Sequence, residues 1–243
     1  MSFSLDLRQC ETLVLNLAED VERRESVVDL CERLGLSYQL IDALKCSPGR
    51  IGCGLSHLKA LRQADTTRPT LILEDDIAVT EDFAAVLTVP DDADAVYLGV
   101  SAYGAVEMID YIGFTGRLLA DEASDGLMRV YNLLAAHATV YLTERYRRAA
   151  IEAIVESIVD RDWDPDRGLA MIQAEFNVYA VQRPAFYQAA ALQMPGRAES
   201  QEHATLLTLT PLPVGTVEPI WLDGVAHNIR IERHDNRLRW VWA

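Results

Sequence analysis

Three consecutive acids, Glu74, Asp75 and Asp76, close the stretch "TLILEDD" (70–76). The uncharged run before them is what a strand buried on both faces requires. Carboxylates are costly to bury unpaired, so the chain must either leave these acids in solvent at a turn or give them a partner. Hard carboxylate oxygens suit Mg²⁺ or Mn²⁺, which commonly reach a protein through one or two carboxylates plus the phosphates of a substrate. In open parallel sheets ligands bind beyond the carboxyl ends of strands, which is where these acids stand. The competing explanation is a solvated strand-to-loop turn with acids at the start of the next helix.

The elements that would position such a site follow from periodicity. "TLVLNL" (12–17), "SYQLID" (37–42), "TLILE" (70–74), "DAVYLGV" (94–100) and "ATVYLT" (138–143) read as strands. "NVYAVQRPAFYQ" (177–188) reads as a strand broken at Pro184. Between them, helical spacing predicts a helix from Asp20 as N-cap to about Leu34, with Gly35 as its stop. Further helices are predicted over "CGLSHLKALRQA" (53–64), over 144–159, and from Asp164 with Pro165 in the first helical position. Strands alternating with helices argue for a mostly parallel sheet. Residues 101–130, punctuated by Gly104, Gly113, Gly116 and Gly126, read as a long functional loop. The tail 227–243 alternates on both sides of "HDNR" and reads as a β-hairpin with Ile229, Ile231, Leu238, Trp240 and Trp242 on one face.

Bulk properties narrow the function classes. A chain of 243 residues, half of them hydrophobic, has enough apolar material for a self-sufficient core. The formal net charge of −15 repels nucleic-acid phosphate and anionic membrane. Cys10, Cys31, Cys46 and Cys53 form no CxxC pair, and are expected to be reduced thiols in a cytoplasmic protein. The N-terminus has no signal-peptide pattern, and no apolar run is long enough to span a membrane.

Four stretches occur in order: "VLNLAEDVERR" (14–24), "GCGLSH" (52–57), "LILEDD" (71–76) and "DAVYLG" (94–99). Together they resemble the motifs of glycosyltransferase family 25, which includes lipopolysaccharide and collagen galactosyltransferases. The family's Asn-Leu with paired arginines beyond it falls on Asn16, Leu17, Arg23 and Arg24. Its Gly-Cys-x-x-Ser-His falls on Gly52, Cys53, Ser56 and His57, and its Glu-Asp-Asp on residues 74–76. "HATVYLTERYRRAAIE" (137–152), "PDRGL" (165–169) and "ESQEHATL" (199–206) are similar to later parts of the family domain. The likeness spans about residues 11 to 206. It departs at Arg50, where the family usually has Gly-Glu ahead of Gly-Cys, and it has no counterpart for 101–130 or for the tail beyond 210.

The resemblance implies an α/β fold of GT-A-like, Rossmann-like type: a mostly parallel sheet with flanking helices over residues 1–210, followed by a C-terminal β extension, 211–243. It implies transfer of a hexose, galactose or glucose, from a UDP-sugar to a hydroxyl acceptor. The reaction would depend on Mn²⁺ or Mg²⁺ and invert the anomeric centre. Asp76 becomes the leading metal ligand, with Glu74 on the metal or the ribose and Asp75 beside it. His137 or His203 could complete the shell, although lone histidines are often structural. Arg23 and Arg24 could grip a diphosphate, or form a solvated helix face. Ser56 and His57, in the first turn of a helix, could favour an anion, or be a cap and a buried histidine. Tyr97 and Gly99 would line the sugar pocket, or Tyr97 would be core. Asp166 is the general base by family position, with Asp162 and Asp110 as rivals, against the bland role of an acid stabilising a helix dipole.

Three functions remain open on the sequence. The first is a glycosyltransferase acting on a saccharide or other hydroxylated acceptor. The second is the same chemistry on a modified nucleobase or a peptide; the acidic charge disfavours duplex DNA unless the arginine-rich tail supplies a basic surface. The third is a degenerate relative that only binds the nucleotide sugar. A homo-oligomer through the C-terminal hairpin is compatible with all three.

Overall fold

The computed structural model describes residues 1–101, 103–108, 111–114, 118–123, 126–189, 213–222, 225–234 and 237–243. Its centre is an eight-stranded sheet. The strands are β1 (Glu11–Asn16), β2 (Tyr38–Asp42), β3 (Thr70–Glu74), β4 (Ala95–Tyr97), β5 (Ala120–Glu122), β6 (Leu127–Val130), β7 (Ala138–Tyr141) and β8 (Val178–Val181). Their spatial order is β5-β6-β8-β4-β7-β3-β1-β2. β1 is parallel to β2 and β3, and β8 is parallel to β4. β7 runs against both β3 and β4, and β6 runs against β8 and β5. Six of the eight strands therefore point one way, with β6 and β7 reversed among them, so the sheet is mixed with a mostly parallel strand direction, as the alternation of strands and helices predicts.

Four helices flank it: α1 (Val21–Leu34), α2 (Gly49–Gln63), α3 (Glu144–Val155) and α4 (Pro165–Ile172). α1 ends where anticipated, at Gly35 with φ 71°, whose N–H reaches the Cys31 and Glu32 carbonyls. Thr143 caps α3 by accepting from the Tyr146 N–H. The crossover from β1 leads out to β2, and the next returns past β1 to β3. With right-handed connections, α1 and α2 must then cover opposite faces. β3 lies between them, and Thr70, Leu71, Ile72 and Leu73 are fully buried. The predicted doubly covered strand is present, and its burial supplies core stability at roughly 25 cal/mol per Å² of apolar surface. No helix among the described residues is long and apolar enough to cross a membrane.

Two local expectations are corrected and one is extended. Residues 101–130 are not a plain loop. Their described parts hold an antiparallel pair, Ala105–Met108 with Tyr111–Phe114, as well as β5 and β6. The second helix begins a full turn earlier than predicted, at Gly49. Gly52, just ahead of the predicted start, is required there because a Cβ would come within 2.2 Å of the Leu44 carbonyl oxygen. The tail hairpin is present, Val225–His234 with Arg237–Trp242, and Val217–Leu222 extends it to a three-stranded antiparallel sheet. Pro219 disguised the extra strand, but it lies on an edge, where a missing N–H costs no ladder bond. Ile229 pairs with Trp242 and Ile231 with Trp240, so the predicted alternation holds in the register.

Candidate functional site

The carboxyl ends of β1, β2 and β3 are level, because Asn16 is opposite Asp42 and Leu15 opposite Glu74. Beyond them opens a cavity of about 230 Å³. Its walls include Leu17, Arg23, Ser56 and all three acids. Successive residues at a strand end point to opposite faces, so the acid run divides its partners between the two helix layers. Glu74 turns toward α2, where its Oε1 lies 3.0 Å from His57 Nε2. Asp75 turns toward α1, where Asn16 Nδ2 donates at 2.7 Å and the Arg23 guanidinium at 3.3 Å. Asp76 is buried with its Oδ2 4.0 Å from Arg23.

These partners set the charge states. Burial pushes the Glu74 carboxyl up, but His57, His137 and Gln188 outweigh it and hold Glu74 below the usual range. The Gln188 amide donates to Glu74 Oε2 at 3.0 Å. Burial wins at Asp75, which is raised despite Asn16 and Arg23. Three carboxylates thus face one cavity, with Arg23 beside Asp75 and Asp76, while Lys45, also in the wall, pairs with Glu19.

A second cavity, about 260 Å³, lies on the other side of Glu74. Arg50, Ser101, His137, Asp164, Asp166 and Gln188 are in its wall. Cys53 and Glu74 belong to both walls, so they form the partition. Asp166, in the first turn of α4, is pushed up to about 6, first by burial and then by the charges of Asp164 and Glu74. Burial, followed by Glu74, Asp166, Asp76 and Asp164, also pushes the Cys53 thiol upward.

The structure brings together Leu17, Arg23, Ser56, Glu74, Asp75 and Asp76 around the first cavity, and Glu74, His137 and Asp166 around the second. It moves other candidates elsewhere. Arg24 is turned back onto its own loop, donating to Asn16 Oδ1 and the Ala18 carbonyl. Asn16 itself is a brace, holding Asp75 and the Asp20 carbonyl. Ser56 and His57 are not in a first helical turn, because α2 starts at Gly49. Ser56 Oγ accepts from Leu44 N–H at 2.8 Å and donates to the Gly52 carbonyl, fixing the loop rather than an anion.

Tyr97 is core: it is fully buried, and its hydroxyl lies 3.2 Å from that of Tyr146. Gly99 is in neither of these two cavity walls. A Cβ there would lie 1.9 Å from His137 Nε2, so glycine makes room for that imidazole. Asp162 is exposed, pairs with Arg50 and ends the helical run with φ 57°; it is outside the cavity wall that holds Asp166. Asp110 and His203 lie outside the described residues.

Gln188, Cys53 and the loop Ala43–Cys46 are site residues that were not picked out from sequence. Gln188 arrives because Phe186–Gln188 pairs with Ile77–Val79, the strand just past the acids. No local pattern signals that pairing.

No family model matches the chain, and no curated protein does. The weak likenesses to solved structures include these two. One is to a nucleoside-diphosphate-sugar pyrophosphorylase from Vibrio cholerae RC9, at 14% identity and TM-score 0.37, covering 70% of each chain. The other is to a glycosyltransferase involved in glycosylation of the major capsid of PBCV-1, at 8% identity and TM-score 0.36, covering 81% of this chain and 98% of that one. Scores this low carry no weight for the chemistry, which rests on the residues of the site.

Proposed function

We propose that this chain is a metal-dependent glycosyltransferase of the family 25 type, moving a hexose, galactose or glucose, from a UDP-sugar to a hydroxylated acceptor with inversion. The observation that carries the proposal is the partition: Glu74 stands between two cavities of comparable size, one framed by strand ends and an arginine, the other holding a carboxyl of raised pKa. Two substrates, one in each cavity, would meet at that wall.

In this reading the donor lies in the first cavity, with its diphosphate on Arg23, whose planar fork suits phosphate oxygens. Asn16 and Arg24 act indirectly, by holding Asp75 and the loop that carries Arg23. The acceptor hydroxyl lies in the second cavity beside Asp166. A base must be near its operating pH to be ionised yet still take a proton, and about 6 suits that task. Asp166 takes the hydroxyl proton as the oxygen attacks the anomeric carbon. The bond to the diphosphate breaks in the same displacement, and no enzyme-bound sugar forms.

The donor set also fits a hard dication. Asp75 and Asp76 present carboxylate oxygens to the first cavity, and burial raises the pKa of Asp75, a cost to its charged form that a cation would offset. Mn²⁺ or Mg²⁺ bound there would offset charge developing on the leaving diphosphate. The C-terminal β extension, residues 211–243, is assigned no part in transfer.

The test is release of UDP from UDP-galactose and UDP-glucose, with and without Mn²⁺ and with a panel of saccharide acceptors. Metal-stimulated release that rises with an acceptor supports the proposal. Tight UDP-sugar binding with no release under any condition supports a binding protein instead.

A further inference from the structure

The partition between the cavities has a composition that sugar transfer does not explain. Cys53 Sγ, a His57 ring nitrogen and a Glu74 carboxylate oxygen all lie within 4.8 Å of one another. Cys53 and His57 are four residues apart on α2, so they share one helix face. Glu74 reaches them from the end of β3. Two contacts hold the group in place: His57 is buried with its Nε2 3.0 Å from Glu74 Oε1, and Gln188 donates to the other Glu74 oxygen.

One sulfur, one imidazole nitrogen and one carboxylate oxygen are not the shell of a hard ion. Mg²⁺ and Mn²⁺ favour oxygen, whereas thiolate and imidazole together select borderline ions, Zn²⁺ above all. Tetrahedral zinc with bonds of roughly 2.0–2.3 Å needs ligand atoms roughly 3.3–3.8 Å apart. The group needs to close by only about an ångström to reach that spacing, within reach of side-chain rotation at Cys53.

We propose that Cys53, His57 and Glu74 form a Zn²⁺ site, distinct from any hard-ion site at Asp75 and Asp76. Its three protein ligands leave a fourth position, and because Cys53 and Glu74 line both cavities, that position opens where both can be reached. With the ion on His57 Nε2, binding releases the Cys53 thiol proton to solvent, shifts the imidazole proton from Nε2 to Nδ1, and replaces the His57–Glu74 hydrogen bond with two bonds to the ion. This proposal does not depend on the transferase assignment: it concerns metal chemistry in the partition whatever the cavities bind.

Cobalt substitution of the full chain tests it. Metal-free protein titrated with Co²⁺ is expected to develop a near-ultraviolet thiolate-to-cobalt charge-transfer band, which equimolar Zn²⁺ bleaches and a large excess of Mg²⁺ does not. Cys53→Ser should lose the band and weaken Zn²⁺ binding by at least about tenfold, the scale for disturbing a metal site, while Cys46→Ser keeps both. A measurement on the unmodified chain guards against misfolded variants: Zn²⁺ should protect Cys53 from iodoacetamide, read by peptide mass spectrometry. The proposal is overturned if the wild-type chain shows no charge-transfer band, if the band survives Cys53→Ser, or if Zn²⁺ leaves alkylation of Cys53 unchanged.

Discussion

The two cavities share a wall but surround their acids differently. On the side of β1 and α1, carboxylates are given donors: Asp75 has Asn16 and Arg23, and Asp76 lies near the same guanidinium. On the side of α4, burial first and then the charges of Asp164 and Glu74 push Asp166 up to about 6. At Asp75 the donors offset part of the upward push of burial and leave carboxylate oxygens that can bind a cation or orient a substrate. At Asp166 neighbouring acids add to that push, which suits a proton acceptor near neutrality. The same residue type thus serves two roles, separated by what faces it. Glu74, in the partition, is held ionised by histidines and an amide despite burial.

The comparison breaks most sharply at Asp76. Asp76→Asn keeps the shape and removes one negative charge from the crowded first cavity. Metal-stimulated UDP release should fall by more than roughly a hundredfold, beyond the usual effect of outer-shell changes at metal sites, with the melting curve little altered. Full activity in this variant would remove the acid run from the chemistry.

Asp166→Asn is next, and tests the second cavity alone. Loss of a general base costs roughly 10²–10⁴ in rate. Wild-type transfer should rise as pH passes through about 6, because the ionised form is the base; the Asn variant should lack that limb. Stability moves the other way. The folded carboxyl has the higher pKa, so the folded state binds more protons than the unfolded one between the ordinary aspartate range and about 6. The Asp166 contribution to stability is therefore present at low pH and lost as pH rises through that window. Thermal melts of the Asn variant should lack this decline and exceed wild type at pH 7. A variant with wild-type pH dependence in both assays would contradict the role given to Asp166.

A smaller effect separates the two arginines. Arg23→Ala should weaken UDP binding by about 1.5–3 kcal/mol, the range for a charge-assisted hydrogen bond. Arg24→Ala should cost less, because Arg24 bonds to Asn16 and the Ala18 carbonyl and is not in the cavity wall. Calorimetry that ranks them the other way would mean the loop, not the guanidinium at Asp75, carries the affinity.

What the sequence revealed follows the same division. The acid run, the strand before it and the helix stop at Gly35 were legible because each is local: hydrophobic runs, charge and glycine act over a few residues. The raised pKa of Asp166 was not, since it arises partly from Glu74, ninety-two positions away (166 minus 74). For Tyr97 and His57 the sequence left core and a buried histidine open beside a site role, and both are buried. Strand alternation cannot say whether an inward face meets core or cavity, and Gly52, just ahead of the predicted helix start, serves close packing against Leu44. Gln188 gave no sign at all, because its role depends on one strand pairing.

The smallest expected effect on activity lies farthest from the partition, in the C-terminal sheet. Its last strand packs beside Ala105–Met108 and Gln173–Glu175, not against the cavity walls described above. Ile229 is fully buried in that sheet, whereas Trp242, its register partner, is 55% exposed and meets His227 edge-on at 5.3 Å. Removing a buried isoleucine side chain leaves a cavity, so Ile229→Ala should destabilise by about 2–5 kcal/mol. Trp242→Ala gives up one aromatic contact at an exposed position and should cost about 1 kcal/mol or less. Neither should lower UDP-sugar turnover per folded molecule, because neither residue touches the acids, Arg23 or Asp166. Chemical denaturation alongside turnover, normalised to the folded fraction, checks both. If Ile229→Ala stays folded yet loses turnover in proportion to no loss of structure, the C-terminal sheet helps build the site, and the contrast between the two cavities would have to be redrawn to include it.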